Sequence, residues 1–329
     1  MSNQLSRIKK RFKDTMIEVS RIIEIDPSQI MRDEYIRCAV DNDIDGRLNK
    51  TELNLLGGFR QAKGALFPGI APKPKVLIYD IETAPIISHV WGLWKNNVGL
   101  NQIERDWHIL SWSAKWLNDD KIYYEDQRNA KNIEDDKKIL EGIWKMIDEA
   151  DIIVTQNGKK FDEKRLNARF IINGFQPPSS YKHIDTLEIA KRKFGFTSNR
   201  LEYMTSKLCN NYKKSKHKKF PGHELWSECM KGNLEAWEEM RTYNEIDVLS
   251  LEELFTKLSP WSDEVNFNLY HDELISACKC GGNYKKNGYV YTQKSKFQRY
   301  KCVDCGSQVR DSQNLFDKDK RKSLKVTIK

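Results

Sequence analysis

The sequence predicts an α/β fold: a mixed sheet with helices on its faces, set between a small helical module and a small cysteine-bearing one. Three observations carry this. From Val76 to about Thr155, strand-like apolar runs are joined by an amphipathic helix. Residues 1–70 read as helical, and "PGIAPKPK" (68–75), with three prolines, reads as a linker. Two close cysteine pairs, Cys278/Cys280 and Cys302/Cys305, follow the α/β stretch. The expected divisions are 1–70, 71–265, 271–312 and a basic tail, 313–329.

In chain order, helices are expected over 6–24, 27–39, 51–56 and 59–66. Within this module "DNDIDGRLNKTE" (41–52) matches a calcium-loop pattern, with Asp41, Asp43, Asp45, Gly46, Leu48 and Glu52 at loop positions. Three features weigh against calcium: Gly57-Gly58 cuts the exit helix, Ile44 replaces a small or polar residue, and no second hand follows. The preferred reading is a helix-turn-helix-like unit with Arg60 and Lys63 toward nucleic acid; a plain helical docking module is the alternative.

Strands are expected over 76–82, 87–94, 109–116, 121–126 and 151–156. Residues 133–150 place Ile133, Ile139, Ile143, Trp144, Met146 and Ile147 on one side of a helix. Beyond 156 the pattern is helical to Pro260, interrupted by a basic loop, 211–222, that either touches phosphate or is merely solvated.

Charge is unevenly placed. The chain carries +9 overall, and residues 271–329 hold 14 Lys/Arg against 6 Asp/Glu. Such a skew suits a polyanionic partner, with a solvated lysine-rich tail as the bland alternative. No apolar run is long enough to span a membrane, and the first residues lack a secretory signal. A cytoplasmic protein is expected. Cys38, Cys209 and Cys229 sit in helical patterns and read as small core residues.

"VLIYDIETAP" (76–85) places Asp80 and Glu82 two apart on a strand, so both carboxylates face one way. "QNGKKFD" (156–162) ends a strand, turns at glycine and puts Asp162 in the first turn of a helix. "YNEID" (243–247) puts Tyr243 and Asp247 on one helix face, with Leu249, Leu251 and Leu254 toward the sheet. Each carboxylate alone has an ordinary explanation as a solvated strand end or helix charge. Converged on one sheet edge, they would repel unless cations neutralised them. Mg²⁺ or Mn²⁺ accept such oxygen ligands, and two ions about 3.5–4 Å apart activate water and stabilise a leaving 3′-oxygen.

"YDIET", "NGKKFD" and "YNEID" resemble, in order, the three motifs of the DEDD (DnaQ-like) 3′–5′ exonucleases. Tyrosine four before the last aspartate marks the DEDDy branch; the histidine branch would need His at 242, which here is Thr242. The resemblance covers roughly 76–260 and extends to phage-encoded exonucleases with a C-terminal zinc ribbon. It implies a ribonuclease H-like core and two Mg²⁺ or Mn²⁺ ions. Asp80 would bridge both ions, Glu82 and Asp247 would hold the nucleophile-side ion, and Asp162 would hold the second. Tyr243 would orient water or the scissile phosphate, and Asn157 would contact the strand. Asp185 is at most a supporting residue, and Gln156 replaces a histidine common in the family. The expected reaction is removal of nucleotides from 3′ ends, of DNA more than RNA. An exoribonuclease and a non-catalytic nucleic-acid-binding protein are the alternatives. A separate polymerase or another replication or recombination protein is a conceivable partner, and the compartment would be the host cytoplasm if the protein is phage-encoded.

Cys278, Cys280, Cys302 and Cys305 suit one structural Zn²⁺, although the first pair is C-x-C rather than C-x-x-C. Between them "YVYTQ" and "KFQRYK" read as a hairpin whose tyrosines alternate with basic residues. Lys294 and Arg299 would contact nucleic acid there, and at least two of Tyr289, Tyr291, Phe297 and Tyr300 would be structural.

Overall fold

β-Branched and aromatic residues of "VLIYDIET" build strand β1 (Val76–Thr83), whose first four residues are buried. In the computed structural model, residues 2–25, 27, 30, 32–56, 66, 74–213, 219–264, 266–270, 278–280, 282–326 and 328 are described. The chain divides into two units: 1–73 with 267–278, and 74–266 with 279–329.

In the second unit β1 is the centre of a five-stranded sheet. β4 (Ile109–Trp116) and β5 (Ile122–Asp126) extend it on one side, each antiparallel to its neighbour. β6 (Ile152–Thr155) and β7 (Lys182–Asp185) extend it on the other, both parallel. The order is β5-β4-β1-β6-β7. This mixed sheet with helices around it is the expected fold class, with two corrections. Residues 87–94 do not join the sheet: β2 (Ile87–Ser88) pairs only with β3 (Ile103–Arg105). β7, read from sequence as helical, supplies the fifth strand. Three of its four residues "KHID" are polar, so neither length nor alternation announces a strand, and pairing with β6 decides the matter.

α4 (Lys137–Glu149) covers one sheet face through Ile139, Leu140, Ile143 and Ile147. It begins at Lys137 and not at the expected 133, and the Asp136 side chain at its N-cap position makes no capping bond. The buried Asp136 carboxylate instead accepts from the Ile109 amide at 2.9 Å and pairs with Arg169 of α5 (Asp162–Ile172) at 2.7 Å. α6 (Thr186–Lys193), α7 (Leu201–Leu208) and α8 (Glu224–Met230) lead to the long α9 (Leu234–Leu258). Val248, Leu251 and Leu254 are buried on α9, while Leu249 is only half-buried.

The cysteine-bearing segment forms the expected hairpin, β8 (Tyr284–Thr292) with β9 (Ser295–Cys302), and adds β10 (Gln308–Arg310). The basic tail carries α10 (Lys318–Ser323), capped by Asp317.

In the first unit, α1 (Ser2–Ile23), α2 (Arg32–Asp41) and α3 (Lys50–Leu55) enclose Phe12, Met16, Val19, Ile30 and Tyr35. The helix expected at 59–66, with Arg60 and Lys63, lies almost wholly outside the described residues, as do 214–218 of the basic loop.

Candidate active site

Strand periodicity aims Asp80 and Glu82 to one side at the end of β1, and Asp247 hangs from α9, which packs across β1 and β4. One carboxylate oxygen from each of the three lies within 4.8 Å of the others. Asp247 is almost fully buried at 2% exposure, whereas Asp80 and Glu82 are half-buried. Burying three like charges this closely is costly unless cations neutralise them, and an all-oxygen donor set suits Mg²⁺ or Mn²⁺.

Asp162 falls outside this group of three. It is buried in the first turn of α5, reached through the turn after β6, the other neighbour of β1. Burial first, and then the Asp162 charge, hold the Tyr79 hydroxyl well above its ordinary range.

The turn carrying Asn157 is tightly specified. Asn157 adopts φ +65°, a left-handed conformation that asparagine tolerates better than most residues. A Cβ at Gly158 would lie 2.2 Å from Thr155 Oγ1, so only glycine fits. Asp185 is the anchor: its buried carboxylate accepts from the amides of Asn157 at 2.8 Å and Leu187 at 3.0 Å. It therefore fixes the turn and caps α6. Gln156 is used locally, donating to the Asn199 carbonyl and accepting from Thr186.

Two residues that sequence reasoning did not single out support the carboxylates. Asn244 Nδ2 donates to Asp80 Oδ2 at 2.7 Å, and its Oδ1 accepts from Ser111 at 3.3 Å. Trp226 Nε1 donates to Glu82 Oε2 at 3.0 Å, while its ring meets Tyr243 edge-on, centroids 6.1 Å apart. The signal for Asn244 was present: it lies three before Asp247 and so faces the same sheet. Trp226 carried no such signal, since a tryptophan in an amphipathic helix reads as core.

The only other converging group of metal-ligand types among the described residues is Cys278, Cys280, Cys302 and Cys305. Cys280 and Cys302 sulfurs are 3.5 Å apart, and an all-sulfur set suits tetrahedral Zn²⁺, consistent with a zinc ribbon. Gly306 takes φ +75°, and a Cβ at Gly282 would lie 2.9 Å from Cys302 Sγ. Phe297 is buried and the Tyr300 hydroxyl donates to Asp311, so these two aromatics are structural; Tyr289 and Tyr291 stay exposed. Lys294 is exposed in the hairpin turn, and Arg299 donates to the Asn287 carbonyl at 2.6 Å. Cys38, Cys209 and Cys229 are buried, and burial pushes the Cys229 thiol up to about 12.

Residues 77–259 match the family model for the RNase H superfamily. Among curated proteins none matches. A solved structure of the family B DNA polymerase from the hyperthermophilic archaeon Pyrobaculum calidifontis is similar over 58% of this chain, at 16% identity and a TM-score of 0.41, a likeness too slight to bear on activity. The match spans 25% of the polymerase's own length. The matched family covers the whole stretch from β1 to α9, where strand order and clustered carboxylates have just been described, and the chain belongs to the RNase H superfamily.

Proposed function

We propose that the chain is a DEDDy-type 3′–5′ exonuclease acting on single-stranded DNA. One observation carries the reading: Asp80, Glu82 and Asp247 bring carboxylate oxygens within 4.8 Å of one another at the end of a core strand. Asp80, Glu82 and Asp247 would hold one divalent ion, and Asp80 with Asp162 a second. Bound there, such ions supply an activated water and neutralise the departing 3′-oxygen.

The remaining steps belong to the protein. Tyr243, its ring set against Trp226, presents its hydroxyl to the attacking water or the scissile phosphate. Asn244 and Trp226 keep Asp80 and Glu82 in their rotamers, so less order has to be imposed as substrate arrives. Asn157, held by Asp185, contacts the strand near its end. Cys278, Cys280, Cys302 and Cys305 hold one structural Zn²⁺ in an accessory nucleic-acid-binding module, 271–312, where Lys294 and Arg299 lie.

The test presents 5′-labelled and 3′-labelled strands of DNA and RNA with Mg²⁺, Mn²⁺ or EDTA. A one-nucleotide ladder from 5′-labelled DNA, immediate mononucleotide release from 3′-labelled DNA and silence in EDTA are the expected results. Faster decay of RNA makes it an exoribonuclease. Retained binding without cleavage makes it a non-catalytic nucleic-acid-binding protein.

A further inference from the structure

We propose that residues 89–100 form a base-stacking platform for the single strand whose end lies at the carboxylates, with Trp91 and Trp94 as the stacking rings. The inference rests on the nuclease reading for the identity of that strand.

In "HVWGLWKNNVGL" Trp91 is 101% exposed, Leu93 89%, Trp94 85% and Leu100 88%. Lone surface hydrophobics are ordinary, but four within ten residues are not. By contrast Trp112 and Trp237 are almost wholly buried. Among the described residues almost nothing covers the apolar ring faces of these two indoles, and flat apolar rings are what nucleobases stack upon.

The segment is a bent loop clamped at its base. Its base is the β2–β3 pair, with Ile87 opposite Arg105 and Ser88 opposite Ile103. His89 N–H donates to the Gln102 carbonyl at 2.9 Å, and Gln102 Nε2 returns a bond to the His89 carbonyl at 3.0 Å. Gln102 Oε1 accepts from the Gly99 amide at 2.8 Å.

Its position favours a nucleic-acid strand over other occupants. β1 runs toward Asp80, Glu82 and Thr83, and the Ala84 amide bonds to the His108 carbonyl where β1 meets β4. The excursion from 85 to 107 therefore leaves the sheet at the end that bears the carboxylates. Residues 83–103 contain no Asp or Glu, in a chain with 47 of them among 329 residues. Lys95, Asn96 and Asn97 follow the two rings. Glu104 sits at the base of the loop, 3.7 Å from His89, so the absence of like charge holds for the outer stretch, 90–100, where an approaching polyanion finds Lys95 next in sequence to Trp94.

The test uses the full chain without divalent metal, so affinity is read whether or not the carboxylates cut. Binding of a labelled short oligothymidylate is followed by anisotropy, alongside the intrinsic tryptophan emission. The double variant Trp91→Ala/Trp94→Ala is expected to bind roughly tenfold or more weakly, as loss of stacked bases would give. Trp91→Phe/Trp94→Phe is expected to recover most of that affinity. The wild-type emission should quench with oligothymidylate and change little with an abasic strand of equal length. Equal affinity for the wild type and the double alanine variant overturns the proposal. So does equally tight binding of the abasic strand, which would leave only phosphate contacts. Loss of self-association in the double variant, with strand affinity intact, also overturns it by making the patch a contact between copies of this chain. Failure of cleavage in the labelled-strand assay, with stacking-dependent binding intact, would sink the nuclease reading alone.

Discussion

Two acidic stretches of this chain match metal-binding patterns, and they end differently. At the end of β1, Asp80 and Glu82 are joined by Asp247, 165 positions further on, so oxygens from distant elements converge. In the first unit, Asp41, Asp43, Asp45 and Glu52 satisfy a calcium-loop spacing almost position by position. There the glutamate is already committed: Arg11 forks onto both Glu52 oxygens at 2.9 and 3.0 Å, and Glu52 reciprocates the Asn49 cap at the start of α3. Ile44 and Leu48 point into the core, and the aspartates of the loop form no converging ligand group. Local spacing is thus weak evidence for a metal seat, because one arginine can consume its decisive ligand. Convergence of far-separated carboxylates is stronger evidence, since nothing local requires it.

The sharpest way to break this contrast is Asp80→Ala. Hydrolysis is expected to fall by about 10³-fold or more, roughly 4 kcal/mol of barrier, while the melting temperature holds or rises. Undiminished cleavage by the folded variant would reduce the cluster on β1 to the standing of the calcium look-alike. Next comes Trp226→Phe, which keeps a ring beside Tyr243 and deletes the N–H to Glu82. The Mg²⁺ concentration for half-maximal rate is expected to rise about 10- to 100-fold, with little change in rate at saturating metal. An unaltered Mg²⁺ titration would show that Glu82 needs no such support.

Smaller effects belong to the acidic loop. Calcium titrated into the wild type should give no heat beyond dilution and no change in melting; tight binding lost in Glu52→Gln would reinstate the calcium site. The Asn49 amide first, and Arg11 after it, hold the Glu52 carboxyl below its ordinary value. Its contribution to stability is therefore complete above the ordinary carboxylate range and is lost as pH falls through the lowered folded value. Glu52→Gln should flatten that acid limb of a stability–pH curve, by a modest amount given how exposed the Arg11–Glu52 pair is. Parallel acid limbs for both proteins would show that the pair is not formed in solution.

Much of the core and of its acidic residues was legible in the sequence. The alternation in "VLIYDIET", the glycine turn before Asp162 and the Tyr243–Asp247 spacing are local signals, and each produced the expected element. What escaped notice depends on pairing. β7 is a strand because β6 offers it a parallel edge, whereas only Ile87–Ser88 of 87–94 forms one, paired with β3, and Trp91 and Trp94 turn to solvent. The supports for the carboxylates were hidden for a related reason. Asn244 and Trp226 act through single hydrogen bonds made across 164 and 144 positions, and no window of sequence contains both partners. Asp162 was expected to stand with the other three; the oxygens of those three converge without it.

β1 has neighbours on both flanks and a buried backbone, so it cannot fray alone. Amides of the strand that bears Asp80 should therefore belong to the slowest-exchanging class, freed only by global opening. On warming, whatever chemistry that strand supports should persist up to the cooperative transition and vanish with it, rather than fade beforehand.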